Sequence, residues 1–269
     1  MCEMLSVSRA SFYAWRKRPE SKRKRDDKRY LVLIKAGFKK SRETYGYRRI
    51  HDDLRDQNEV CGKHRVARLM RDNNIRPKTR KKFKVTTDSK HNKPIHENHL
   101  SRQFYASSPN ERWVSDITYV QTKEGWLYLA AVMDLFSRKI IGWAMSDRMK
   151  ETLVVDALKM ALFRRKISSG LMLHSDRGSQ YAGDHFQQLL RDNNIKCSMS
   201  RKGNCWDNSA MESFFHSLKT ECIYHEKYIN REEAKKSIFD YIEVFYNRQR
   251  KHSYLGYQSP DQFELACGF

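Results

Sequence analysis

The stretch "RWVSDITYVQTKEGWLYLAAVMDLFSRKIIGWAMS", residues 112–146, carries the reading that decides the fold. Residues 112–120 alternate in character and are rich in β-branched and aromatic side chains, which predicts a strand. Residues 125–146 hold two more such runs, separated by a bend from Asp134 to Arg138. Strands joined by connections this short pair as an antiparallel meander, because a parallel return needs a crossover of a dozen or more residues. Past Ser146 the period changes. Val154, Ala157, Leu158, Ala161 and Leu162 form one stripe at helical spacing within residues 151–166. The short apolar run "LMLHSD", 171–176, follows that crossover helix and is predicted to lie parallel to the first strand. A helix over 185–194 and a fifth strand over 195–200 come next, and helices finish the chain. Three strands, helix, strand, helix, strand describes a mixed five-stranded sheet with helices packed on it, an α/β arrangement.

Upstream the composition is different. The 269 residues hold 53 Lys and Arg against 32 Asp and Glu, a net charge of +21. Residues 1–100 alone carry 29 basic and 12 acidic residues, so +17 of that charge lies there. Charge concentrated this way points to a polyanionic partner, most simply double-stranded DNA. Residues 6–18 read as a short amphipathic helix capped by Ser6 or Ser8, with Phe12 and Trp15 on it, and 19–29 read as a solvated basic linker. In residues 45–75, Tyr47, Ile50 and Leu54 recur at helical spacing. Val66, Leu69 and Met70 repeat the pattern after a joint near Cys61 and Gly62. Two short helices about a tight joint are a candidate helix-turn-helix, with Lys63, Arg65, Arg68 and Arg71 on the polar side of the second helix as candidate DNA contacts. Residues 76–99 are charged and aperiodic. The chain therefore divides into an N-terminal helical segment and basic linker (1–44), a small all-α helix-turn-helix-like DNA-binding module (45–80), a basic linker (81–105) and an α/β core with a C-terminal helix and tail (106–269).

Some functions are excluded. No apolar run approaches 18 residues and there is no signal peptide, so neither a membrane span nor export is expected. The six cysteines form no C-x-x-C, which argues against a zinc ribbon and predicts free thiols.

Three acids stand out by position. Asp116 sits inside the first strand and Asp176 at the end of the fourth. Glu212 lies in "NCWDNSAMESFFHSLKTE", 204–221, a helix with Met211, Phe214, Phe215 and Leu218 as its apolar face. If the first and fourth strands are neighbours, their carboxylates lie side by side. Such a pair repels and shares a proton unless a cation sits between its members. Hard oxygen donors suit Mg²⁺ or Mn²⁺, and a third acid completes a two-ion site for phosphodiester chemistry. Glu212, His216 and Lys219 follow i, i+4, i+7 and share a face, so a carboxylate and a lysine can act together on a metal and a phosphate.

From Asp176 to Glu212 is 36 positions. With Asp116 upstream, this resembles the D,D-35-E signature of the DDE transposase and retroviral integrase superfamily, whose catalytic core has the ribonuclease-H-like fold. The words "WVSDITYV", "VMDLFSRKIIGW", "LHSDRGSQY", "SRKGNCWDNSAMESFFHSLKTE" and "YNRQRKHSYLGYQSP" resemble the second-frame transposase of the third bacterial insertion-sequence family, from about residue 5 to 265. The resemblance implies metal-dependent cleavage at the element's 3′ ends and strand transfer by the freed 3′-hydroxyl. Asp116, Asp176 and Glu212 would be catalytic residues and ligands of two Mg²⁺ ions, with Mn²⁺ as a substitute. It also implies that Lys219 contacts transposon-end DNA and that Asn208 shapes the site, while Asp134 and Asp207 are structural. A homodimer or larger synaptic assembly, a location in the bacterial cytoplasm at the nucleoid, and frameshift fusion to an upstream helix-turn-helix and leucine-zipper segment are implied as well. The start at Met1, just ahead of "LSVSRASFYAW", fits such a downstream frame. The retroviral His-His-Cys-Cys zinc module has no counterpart here, because no cysteine pair follows His96 and His99. Two other readings stay open: a non-catalytic DNA-binding regulator, and a nuclease of the same fold that cuts without joining.

Overall fold

The computed structural model describes residues 2–78, 96–167, 169–201 and 205–269, with nothing said of the Cys205 side chain. The greater part of the expected linker 81–105 lies outside these residues. The chain forms two compact units, Met1–Pro77 and Lys78–Phe269.

The first unit is helical. Helix α1, Arg9–Lys17, is capped by Ser8, whose side chain accepts from the Ser11 N–H at 3.0 Å; none of its residues is buried. Helix α2, Lys22–Lys40, corrects the expectation of a solvated linker over 19–29. Ser21 caps it, and Tyr30 and Ile34, one turn apart, are buried. The dense charge of its first two turns conceals an apolar stripe that begins only at Tyr30. Helices α3, Tyr47–Asp56, and α4, Lys63–Asp72, are the predicted pair, joined through the buried Cys61. Ile50 and Leu54 of α3 and Val66, Leu69 and Met70 of α4 are buried, whereas Tyr47 is exposed.

The second unit is built on a five-stranded sheet. Strands β1 (Arg112–Thr122), β2 (Gly125–Asp134) and β3 (Ile140–Ser146) form the antiparallel meander. Helix α5, Glu151–Arg164, leads to β4, Met172–Ser175; helix α6, Asp184–Asp192, leads to β5, Lys196–Met199. The sheet order is β3-β2-β1-β4-β5, with β4 parallel to both β1 and β5. Helix α5 approaches β3 closely at Gly142, where any Cβ would collide with the Ala157 carbonyl and the Ala161 methyl. Its buried Leu153, Val154, Ala157, Leu158 and Ala161 close the core over Trp113, Ala130 and Val132 of the sheet, with Phe186 and Leu190 of α6 beside them. A 3-10 turn, Cys205–Asn208, enters α7, Ser209–Glu221. Helix α8, Arg231–Phe239, runs into a π-helical segment, Asp240–Tyr246, and α9, Pro260–Ala266, ends the chain behind a capping box at Ser259.

Candidate active site

The parallel register between β1 and β4 pairs Arg112 with Met172, Trp113 with Leu173 and Val114 with His174. Asp116 and Asp176 each lie two residues beyond the last of these pairs, Asp116 within β1 and Asp176 just past the end of β4. The backbone holds both carboxylates: Asp116 Oδ1 accepts from the Ile117 N–H at 2.8 Å, and Asp176 Oδ1 accepts from the Gly178 N–H at 2.8 Å. Gly178 leaves just enough room, since a Cβ there would lie 3.0 Å from Asp176 Oδ1. Burial pushes the Asp116 carboxyl well above the ordinary aspartate range; the Asp176 charge pushes it further and Glu212 adds to this. Beneath the pair, the Tyr181 hydroxyl lies 3.0 Å from Ser115 Oγ, and its ionisation is suppressed by burial and then by the charges of Asp116 and Asp176.

Helix α7 supplies the third acid and the lysine. Met211, Phe214, Phe215 and Leu218 bury its apolar face as predicted, leaving Glu212 and Lys219 half-buried and His216 exposed. Burial raises the Glu212 carboxyl. Burial also lowers the Lys219 ammonium, and the Asp116 charge draws it back up. Lys219 Nζ stands 5.0 Å from the centre of the Tyr119 ring. Asn208 ties the start of α7 to β1, its Nδ2 donating to the Ser115 carbonyl at 3.1 Å. Its buried Oδ1 has no hydrogen-bond partner among the described residues.

The two rival acids are engaged elsewhere. Asp134, fully buried, accepts from the Asn110 and Phe136 N–H groups at 2.9 and 3.0 Å, and burial pushes its carboxyl up to about 6. Asp207, also fully buried, is a hub of hydrogen bonds. It accepts from Asn98 Nδ2 at 2.8 Å, Arg102 Nε at 3.0 Å, and the Arg201 backbone N–H and guanidinium at 2.9 to 3.0 Å. Those donors, Arg201 first, hold its carboxyl far below the usual range.

Among the described residues no group of three or more His, Cys, Asp and Glu side chains converges closely enough to hold a metal by itself. The facing aspartates still fit a hard divalent cation. Mg²⁺ is commonly held by one or two carboxylates, with substrate phosphate and water filling its other positions. The Asp176 charge raises the Asp116 carboxyl, and a cation between the two would relieve that repulsion.

In the first unit the four candidate DNA contacts divide. Arg65 Nε and Arg68 Nη2 bind Asp27 of α2 at 2.6 and 2.7 Å, so both arginines brace α4 against α2 rather than projecting to solvent. Lys63 is exposed, and Arg71 is 78% exposed, with its neighbour Asp72 at 3.5 Å. The acidic partner of Arg65 and Arg68 is about forty positions away, on a helix the sequence did not disclose.

Comparison with known proteins gives a consistent result. The integrase core domain matches residues 106–205 and, in a second form, 212–266; an HTH-like domain matches 24–83. The chain is 46% identical over 266 residues to "Transposase InsF for insertion sequence IS3A" of Escherichia coli, covering 98% of this chain and 92% of that one. It is 45% identical over 263 residues to an insertion element IS600 31 kDa protein of Shigella sonnei, covering 98% and 97%. Among solved structures, a chain of the simian T-cell lymphotropic virus intasome superposes with a TM-score of 0.51 at 16% identity, covering 76% of this chain and 66% of that one; this likeness concerns the fold. No helix among the described residues is long and apolar enough to cross a membrane.

Proposed function

The chain belongs to the insertion-sequence transposases with an integrase core domain, DDE-type enzymes that cut and join DNA, and on that premise we propose that Asp116, Asp176 and Glu212 are its catalytic carboxylates. The observation that carries the assignment is the placement of Asp116 and Asp176 two residues beyond the last rung between β1 and β4, close enough for the Asp176 charge to disfavour ionisation of Asp116. Glu212 belongs to the same electrostatic group, because its charge also raises Asp116.

Asp116 and Asp176, joined by Glu212, would hold two Mg²⁺ ions, or Mn²⁺ in their place. When bound, the ions supply the Lewis acidity that favours in-line displacement at a phosphodiester. The chain's own residues do the rest. The backbone donors at Ile117 and Gly178 fix one oxygen of each aspartate, so the pair is presented without rotamer search. Lys219 places an ammonium beside Asp116, where it would pair with a DNA phosphate. Asn208 keeps α7 against β1. Attack by water and then by the freed 3′-hydroxyl needs no covalent link between enzyme and DNA. In the first unit Lys63 and Arg71 are the exposed cations of the candidate recognition helix; they would grip the DNA backbone with a strong salt dependence. Synapsis of two element ends calls for a dimer or larger assembly, with the upstream frameshift partner contributing to end recognition. Work on DNA would place the protein in the bacterial cytoplasm at the nucleoid.

The test is strand joining with Mg²⁺ or Mn²⁺ on labelled duplexes from both flanks of the gene, wild type beside Asp176→Asn. Joined products from the wild type alone support the assignment. Equal joining by both proteins overturns it, and cutting without joining by the wild type leaves a nuclease.

A further inference from the structure

The sheet face that carries the main core does not end where the helices end. Trp113, on this face of β1, is sealed into the core under α5, and Ser115 meets Tyr181 beneath the helices. Two residues beyond Ile117 the same face reaches solvent. Tyr119 is 36% and Trp126 45% exposed, and Gln121, paired across the ladder with Trp126, is exposed between them. The Tyr119 and Trp126 rings meet edge to face, with centroids 5.0 Å apart and planes 83° apart. An aromatic pair on a strand can stabilise the hairpin alone, but this one has a cation and a fixed backing.

Lys219 Nζ lies 5.0 Å from the centre of the Tyr119 ring, and Lys219 stands on the same helix as Glu212, so the ammonium links the aromatic pair to the helix of the proposed third carboxylate. Asp116 and Tyr119 are three residues apart on β1, about 10 Å at strand rise, with side chains on opposite faces of the strand, so a DNA strand that reaches both passes round the edge of β1 beyond its last rung with β4, Val114–His174. The hairpin that carries Trp126 is pinned from α8. Arg231 donates from Nε to the Trp126 carbonyl at 3.0 Å and from Nη2 to the Glu124 carbonyl at 2.9 Å, and its backbone N–H donates to Glu124 Oε2 at 2.9 Å. The Lys123 N–H donates to the Tyr228 carbonyl at 3.1 Å. A rigid platform of exposed aromatics flanked by a lysine is the chemistry of unpaired-base recognition, because every base offers a π-face and its phosphate a negative charge.

We propose that Tyr119 and Trp126 form a stacking site for an unpaired nucleobase, a few nucleotides from the phosphodiester held at Asp116 and Asp176, with Lys219 binding the intervening phosphate. The proposal rests on the active-site assignment above. It gives the site a means to hold a frayed strand end in place during cutting and joining.

The experiment uses the full chain carrying Asp176→Asn, so that binding is read without chemistry. The probes are a single-stranded oligonucleotide and a duplex with a frayed 3′ end, each with 2-aminopurine at successive positions near that end. The expected result is quenching of 2-aminopurine at one or two adjacent positions, lost in Trp126→Leu and Tyr119→Leu and kept in Trp126→Phe. Affinity for the single strand should fall about tenfold in each leucine variant, while affinity for a fully paired blunt duplex changes less than about twofold. Circular dichroism and unfolding midpoints unchanged from the parent confirm that the leucine variants are folded. Single-strand affinity within about twofold of the parent in both folded leucine variants overturns the proposal, as does a change of oligomeric state in their sedimentation, which would make the pair a protein contact. Joining by the Asp176-intact protein, measured separately, tests the active-site assignment, so the two can fail independently.

Discussion

Arg250 offers a test of how the candidate active-site helix is held. Its guanidinium is almost wholly enclosed, with 5% side-chain exposure against 8% for Glu221. It grips Glu221, the last residue of α7, through Nε to Oε2 at 2.7 Å and Nη2 to Oε1 at 2.6 Å, and also donates to Ser217 Oγ at 3.2 Å. The Tyr241 hydroxyl donates to Glu221 Oε2 at 2.8 Å. Replacing Arg250 by Met keeps the stem's volume and removes the charge, leaving a buried carboxylate without its guanidinium partner while Tyr241 still donates to it. Breaking a buried pair from one side costs about 3–5 kcal/mol, much of it the penalty for the abandoned charge. Removing both charges should therefore cost less than the sum. Urea unfolding at neutral pH, followed by tryptophan fluorescence, is expected to show a loss of about 3–5 kcal/mol in Arg250→Met, with Glu221→Gln added to it restoring about 2 kcal/mol. Because α7 also carries Glu212 and Lys219, joining by Arg250→Met should be depressed even under conditions where the variant is fully folded. A single-variant cost below about 1 kcal/mol, or strictly additive costs, would refute the reasoning.

Three further outcomes are expected. Glu212→Gln should lower strand cleavage by at least about a hundredfold with DNA affinity unchanged in a gel shift; cleavage at the wild-type rate contradicts its role. Asp27→Asn frees Arg65 and Arg68 from α2, so non-specific DNA affinity should rise and the salt slope steepen by about 1–2; an unchanged slope means those arginines stay out of reach of DNA. Asp134 has a folded pKa of about 6, above its ordinary value, so its contribution favours folding at acid pH and is lost as pH rises from the unfolded value through 6. Relative to Asp134→Asn, the wild type should lose about 3 kcal/mol of stability between pH 4 and pH 7, measured by urea titration at each pH; parallel curves for the two proteins would dispose of the shift.

Much of the core unit was legible in the sequence because its signals are local. Two short joints dictate the meander, and the stripe on α5 requires a crossover that returns the chain parallel to β1, which is why Asp116 and Asp176 were readable as neighbours. Glu212 and Lys219 were readable from helical spacing on a helix whose opposite face is plainly apolar. The failures share a different cause. The apolar residues of α2, Tyr30 and Ile34, follow a run of charge that reads as solvated chain. The pairing of Arg65 and Arg68 with Asp27, of Arg250 with Glu221, and of Asp207 with Asn98, Arg102 and Arg201 joins residues that are mostly distant in sequence. No spacing rule announces such pairs. A charged residue looks the same on paper whether water or an opposite charge awaits it.

Those distant pairs bear on the proposal that α7 serves as a catalytic element. A carboxylate and a lysine that act on one phosphodiester must keep their separation to within a fraction of an ångström, and an exposed helix in a loop-rich region does not do this unaided. Here both ends are fixed by buried charge. At the start, Asp207 gathers donors from residues 98, 102 and 201, and Asn208 reaches the backbone of the strand that carries Asp116. At the end, Arg250 holds Ser217 and Glu221. Glu212 and Lys219 lie between these two anchors. The arrangement places buried charge at the two ends of α7, held by ion pairs and hydrogen bonds, and leaves the middle of the helix face for the proposed contacts with DNA and metal. Loosening either anchor should therefore impair joining more than DNA binding, because binding draws on dispersed cations while joining depends on this one spacing.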